Sequence, residues 1–444
     1  MTQTQSAPPA TWSSPPAQQS SNTASQPPSA RKPGVRGLVA AWFEGTPGRM
    51  RAFLVLAAAV SVVFGLTAAQ GFRQSDGALK RAEANAAQLV RIQAIHTNLV
   101  SANADATNAF LVGGLEPPAQ RQHFVDSMAS AARLITEAST AQPADQKALG
   151  ELNTTLITYD GLIEQARANN RQGLPIGSQY LRDANAVLQN DSLPLVNALV
   201  EANEQRVDTE FDGVRLGTIW VVAGGLLALV VFVITLRWLA RRTHRYVNIP
   251  IAAGGLLILL TTVVGGVSLS SASGNASSTR DDAYAKTLAL SRARIAAYDA
   301  RSNESLTLIA RGSGDAFDKA YNTASATVDD ELKKSSTTAN DLTTSWNEYK
   351  RIHGAVRKAD TNGNWDNAVA MAVGTTKDNN SVVAFKSFDE SSADRLQSTS
   401  DTVTSELSDT RGGLPPIGWL GLPLGIVAAL LVTWGMSQRL EEYR

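Results

Sequence analysis

Few residues in this chain are of types that carry covalent or metal chemistry, and those few are poorly spaced for it. There is no cysteine, and the four histidines, His96, His123, His244 and His353, never stand in an H-x-x-x-H spacing. Thiolate nucleophiles, disulfides and thiolate metal sites are therefore excluded, and a zinc site has no ligand pattern to rest on. The stretch Asp360-Thr361-Asn362-Gly363-Asn364-Trp365-Asp366 is composed like a calcium loop. An EF-hand loop needs Gly at its sixth position and Glu at its twelfth, and counted from Asp360 these are Trp365 and Met371. It reads instead as a helix-helix turn with Asn364 or Asp366 near an N-cap. No G-x-S-x-G, Walker, histidine-kinase, HAMP or protein-kinase signature occurs. The expectation is a non-enzyme with no cofactor and no metal.

Binding is the chemistry that the pattern leaves. His96 and Asn103 interrupt an apolar seam, Leu89, Ile92, Leu99, Ala106 and Phe110, with the alternating spacing of one helix face. They are candidate ligand contacts, although polar residues on such seams also set register. Tyr159 with Arg167 and Tyr349 with Arg357 recur at one constant offset. Tyr and Arg are favoured in interaction surfaces, which makes the four candidate partner contacts, while a repeat equally retains core residues. Arg241, Arg242 and Arg245 crowd a short segment between two apolar runs and are candidates for anionic lipid headgroups or an acidic partner.

The elements that must hold these residues follow from where charge is missing. Lys+Arg and Asp+Glu balance at 40 each, so the bulk charge gives no support to nucleic-acid binding. Charged residues are absent from Ala52 to Phe72, Leu216 to Leu236, Asn248 to Thr279 and Gly412 to Gln438. A helix rises about 1.5 Å per residue, so roughly 20 apolar residues cross a hydrocarbon core of about 30 Å. Four transmembrane helices result, at 52–72, 216–236, 249–270 and 412–438. The basic turn 237–248 is placed in the cytoplasm by the positive-inside rule. The tail 1–51, uncharged from Thr2 to Ala30 and then basic, is expected to be disordered and cytoplasmic, as is the short end 439–444. The first apolar run is longer and begins later than a signal peptide's, so it is taken as a retained span. The span interiors carry no ionisable group, which disfavours transport, and Gly421 and Gly425 form a small-x-x-x-small step.

The intervening segments 73–215 and 271–411 each divide at glycine and proline breaks into four helices. In the first, the breaks are Gly113-Gly114, Gln142-Pro143 and Gly173 to Pro175. The first and last helices of this segment run on into spans, with a second seam at Leu193, Val196, Val200, Asn203, Val207, Phe211 and Val214. The two halves match in layout and in their breaks, Gly113-Gly114 with Gly312-Ser313-Gly314. The expected fold is an all-α membrane protein with four transmembrane helices and two extracytoplasmic four-helix bundles arising from an internal duplication, a parallel repeat with both termini in the cytoplasm of a plasma-membrane protein.

With the layout, these glycine breaks and the stretch Asn362 to Ala370 in view, the region from Arg36 to Arg444 resembles the GlnX family of actinobacterial four-span membrane proteins. The resemblance implies a transducer that reads an extracytoplasmic amino-acid-binding lipoprotein, sensing glutamate- or aspartate-type ligands, and informs the soluble serine/threonine kinase G. It supplies no catalytic residue. The partners so implied are the lipoprotein, the kinase and the bilayer, with homo-oligomerisation left open. The alternatives are a direct small-molecule sensor of chemoreceptor-like bundle type and a structural scaffold of a cell-envelope complex.

Overall fold

The computed structural model describes residues 45–112, 115–243, 248–335 and 340–441. Most of the expected tail, the Gly113-Gly114 break, His244 and Arg245 of the basic turn, and the last three residues lie outside the described residues. Within them the chain is helical, with no strand. In order the helices are α1 Gly45–Val112, α2 Pro118–Ala141, α3 Gln146–Arg171, α4 Ile176–Val187, α5 Leu193–Thr243, α6 Ile249–Thr279, α7 Ala285–Ile309, α8 Asp315–Lys334, α9 Asn340–Thr361, α10 Trp365–Ala372, α11 Ser381–Gly412 and α12 Ile417–Glu441.

Local chemistry sets several of these boundaries. Asn248 caps α6, its side chain accepting from the Ile251 amide, and Asn380 caps α11 in the same way through Val383 at 3.0 Å. Asn364 is the cap of α10. Gly173 and Gly363 follow α3 and α9 with φ of +67° and +78°, a region in which a β-carbon is strained. Pro194 would break an ordinary helix because it lacks an amide hydrogen and its ring crowds the carbonyl four residues back. The chain widens into a π turn at Leu188–Ser192, so α4 and α5 run on as one rod. A second π turn, Arg280–Tyr284, joins α6 to α7.

Among the described residues four helices are long and apolar enough to cross a membrane, and the chain is a multi-pass membrane protein. They lie in α1, α5, α6 and α12, with α1 and α6 each packed on both α5 and α12. Phe64, Phe72, Val221, Phe232, Ile258 and Val432 form the centre between them. Only 28–33% of the most apolar stretch of each is buried by protein, and Leu226, Val233, Val264 and Leu430 face outward on an apolar surface suited to lipid. Backbones meet where glycine permits. A β-carbon at Gly421 would stand 2.9 Å from the Gly65 carbonyl oxygen, and one at Gly425 would stand 2.6 Å from that of Ser61. The Gly421/Gly425 step is thus the contact face between α1 and α12.

Outside the spans, α1 is the central element. As one helix of 68 residues it reaches about 100 Å, carrying its span directly into the head of the molecule. Its seam residues Leu89, Ile92, His96, Leu99, Asn103 and Ala106 are all buried. So are its other faces between Leu99 and Ala109, where α2 covers one side, Tyr159 of α3 and Asn185 of α4 reach Asn103, and α7 and α11 pack on α1 from the other half. The small side chains of Ser101, Ala102, Ala104 and Ala106 allow that close approach. One apolar core therefore runs through both halves of the head, from Ile92, Leu152 and Tyr159 to Leu306, Trp346 and Phe388. Nearer the spans, Asp145 is 1% exposed in the turn between α2 and α3. It accepts hydrogen bonds from Gln88 at 3.1 Å, Asn203 at 3.0 Å and Arg206 at 2.8 Å, tying α1 and α5 to that turn.

Two outcomes follow for thermal unfolding of the purified protein in detergent. Gly425→Leu should cost at least about 1–3 kcal/mol through overpacking, whereas Gly274→Ala, where a β-carbon meets nothing within 4 Å, should not destabilise. Asp145→Ala should cost about 1–3 kcal/mol, because it removes the acceptor shared by Gln88, Asn203 and the partly exposed Arg206.

Candidate functional site

The two polar residues of the α1 seam occupy different environments. Asn103 is 1% exposed and bonds to helices from both halves. Its Nδ2 donates to Asn185 Oδ1 at 3.0 Å and to Ser302 Oγ at 2.9 Å, and its Oδ1 accepts from Tyr159 Oη at 3.3 Å. Both amide hydrogens are thereby used, one amide reaching α3, α4 and α7. Asn103 and Ser302 are 199 residues apart. The same separation relates Gly113 to Gly312 in the sequence.

His96 lies two turns nearer the spans and lines a cavity of about 620 Å³ between the two halves. Burial pushes its imidazole down to about 4, so it is neutral at ordinary pH. Gln93 joins it from α1, Gln189 from the π turn, Asn197 from α5, Arg292, Asp299 and Asn303 from α7, and Glu331 from α8. Arg292 is paired with Glu204, and one oxygen of Glu331 accepts from Lys334 at 2.7 Å. Burial raises the Asp299 carboxyl to about 6, only partly countered by a hydrogen bond from Gln189. Gln93 is 2% exposed and Glu331 7%, yet Oε1 of the first and Oε2 of the second have no hydrogen-bond partner. Buried polar atoms are nearly always paired, and these two are sealed from water beside the cavity without a partner.

The Tyr159/Arg167 and Tyr349/Arg357 pairs sit apart from that cavity. Tyr159 and Tyr349 are both 0% exposed, the latter stacked on Trp346 at 5.1 Å and edge-on to Phe385. Each arginine reaches across to the start of the second helix of its own half. Arg167 contacts both oxygens of Glu116, at 3.0 and 3.2 Å, and lies 4.1 Å above the Phe124 ring. Arg357 binds Asp318 at 2.7 Å and Asp360. Arg167 and Arg121 also line a smaller cleft of about 300 Å³ at the end of the head remote from the spans. Arg241 is exposed at the end of α5, while the Arg242 side chain and Arg245 lie outside the described residues.

Several polar groups have no signature in the sequence. Asp105 is bonded to His123 at 2.5 Å, which holds that imidazole above its usual range. Glu304, related to Asp105 by the Asn103–Ser302 separation, is 1% exposed and contacts His353 at 2.6 Å and Ser381 at 2.9 Å. His123 comes from α2 but His353 from α9, so the acid is common to both halves while its partner is not. Asp299 and Glu331 were also invisible, since each looks like an ordinary helix-surface acid until another helix is laid against it. Among the described residues no three His, Asp or Glu side chains cluster in a way that could hold a metal ion.

Comparison with known proteins bears on the first half of the head. No curated protein and no solved structure matches the chain. Residues 78–212, from the middle of α1 to the head portion of α5, match the family model of an actinobacterial sensor domain.

Proposed function

We propose that this protein is a non-enzymatic transmembrane transducer that relays amino-acid availability, of the glutamate or aspartate type, from an extracytoplasmic solute-binding lipoprotein to a cytoplasmic serine/threonine kinase. A sensing role is supported by the match of residues 78–212 to an actinobacterial sensor domain. The lipoprotein, the kinase and the ligand class rest on the resemblance to the GlnX family.

The observation that carries the reading is the continuity of helix between head and spans. α1 is unbroken, and the α4–α5 and α6–α7 rods cross their π turns without a loop. A displacement at the head is thus transmitted to the membrane by rods rather than through flexible linkers. A docked lipoprotein would favour one arrangement of those rods, and it can shift the equilibrium only by its differential affinity for the two arrangements. In this mechanism the turn carrying Arg241, Arg242 and Arg245 offers the kinase a basic surface.

The test is made in the organism that encodes the chain. Kinase-substrate phosphorylation should respond to added glutamate or aspartate, and the response should vanish when either this chain or the lipoprotein is deleted. A full response without the lipoprotein rejects the relay. Replacing Arg241, Arg242 and Arg245 together by Gln should abolish co-purification of the kinase while leaving the protein in the membrane. Unchanged co-purification would reduce that turn to a topological anchor.

A further inference from the structure

A second cavity, of about 680 Å³, lies nearer the spans than the one beside His96, between α1, α5 and the turn that joins α2 to α3. Contacts on its two ends limit it. Gln142 closes the head side through a hydrogen bond to Asn85 Oδ1 at 3.4 Å, and the Arg81–Glu210 ion pair at 2.8 Å closes the span side. Gln88 forms the back wall, 1% exposed, with its nitrogen and its oxygen both bonded.

What this cavity offers a ligand is chiefly hydrogen-bond donors. Asn85 is 9% exposed, and its Nδ2 has no partner among the described residues. Unlike the sealed oxygens of Gln93 and Glu331, that nitrogen keeps water-accessible surface at the cavity its residue lines. Arg206 commits Nη1 to Asp145 and Asn203, while its Nε and Nη2 are open to water in the same way. Arg81 donates Nε to Glu210 and keeps both terminal nitrogens. Two cations, Arg81 and Arg206, thus face one anion, Glu210. Asp145, which pairs with Arg206, is 1% exposed and lies behind it, outside the lining.

We propose that this cavity is a binding site for a small carboxylate, whose oxygens accept from the Asn85 amide and from the Nε–Nη2 edge of Arg206, with Arg81 over it from the span side. A guanidinium edge and a carboxylate match as a planar pair of parallel hydrogen bonds. Arg206 is already held by Asp145, so little side-chain freedom is lost on binding. An amine is disfavoured, because it would meet two guanidinium groups. Every lining residue falls within 78–212, the stretch that matches an actinobacterial sensor domain. The ligand bridges α1 and α5, both of which continue into spans, so occupancy holds these rods at one separation. The proposal does not rest on the lipoprotein relay, since the site lies wholly within this chain.

The experiment is calorimetry on the full-length chain in phosphatidylcholine nanodiscs, with neither lipoprotein nor kinase present, titrated with sodium succinate and, separately, with putrescine. Saturable heat is expected from succinate and none from putrescine. Asn85→Asp keeps the oxygen that accepts from Gln142 and sets a carboxylate beside the arginines, where the ligand's own would sit. It should weaken succinate at least about tenfold without lowering the melting temperature. Ala84→Trp, which fills the cavity from an exposed position on α1, should weaken it as much. A residue needed only for packing would give the reverse, a loss of stability with succinate heat retained. Succinate heat unchanged in either variant would overturn the proposal, as would saturable putrescine heat that both variants remove. So would the absence of succinate heat up to about 10 mM, a concentration at which a complex with Kd of roughly 1 mM would be ~90% formed.

Discussion

The head depends on how a single helix can be buried on every side. Between Leu99 and Ala109, α1 is enclosed by its own half and by α7, and the contact is held in register by the Asn103 amide. An apolar contact between two small-residue helices can slide with little penalty, since any stagger buries similar area. A buried amide with fixed partners cannot. Displacing it strands groups at about 1–3 kcal/mol each, so the amide selects one stagger among many. Here the partners are Tyr159, Asn185 and Ser302, and one residue sets the relation of three other helices to α1.

That constraint explains why the two halves share one core. Two bundles standing separately on the bilayer would each need a polar outer face on their first helix. α1 instead carries Ala, Ser, Thr and Asn where solvent-exposed charges would otherwise stand, and α7 does likewise around Ser302 and Ser305. The cavity beside His96 belongs to the same interface. It lies between the Asn103 contact and the spans, where longer side chains such as Gln93, Gln189 and Arg292 hold the helices apart.

Much of this organisation was legible in the residues, and the line between legible and hidden is a physical one. Spans are visible because hydrocarbon excludes charge over a continuous run of residues, and the Leu89 to Phe110 seam is visible because helical burial is periodic. A cap at Asn364 or Asp366 is legible because capping is local, and Asn364 is the one that serves. What was hidden is long-range: Asp145 gathers Gln88, Asn203 and Arg206 from distant segments, and nothing near it distinguishes it from an ordinary turn acid. The seam spacing marks one face of α1, whereas burial proceeds all round it between Leu99 and Ala109, because small residues are ambiguous between a polar surface and a close helix contact. The π turn before Pro194 was hidden as well, since proline signals a break and the widened turn keeps the rod whole.

The position of the cavity beside His96 relative to the rods limits what an occupant could do. It touches helices on both sides of the interface, and α1 and α5 enter the membrane without a flexible joint. A ligand that bound both arrangements of the halves equally would shift nothing, however tightly it bound. The lining comes from both sides, Gln93 and His96 on α1 and Thr323 and Glu331 on α8, so the shape of the cavity depends on how the two halves meet. That meeting is set by the Asn103 amide two turns further from the spans, which fixes the stagger and with it the space beside His96.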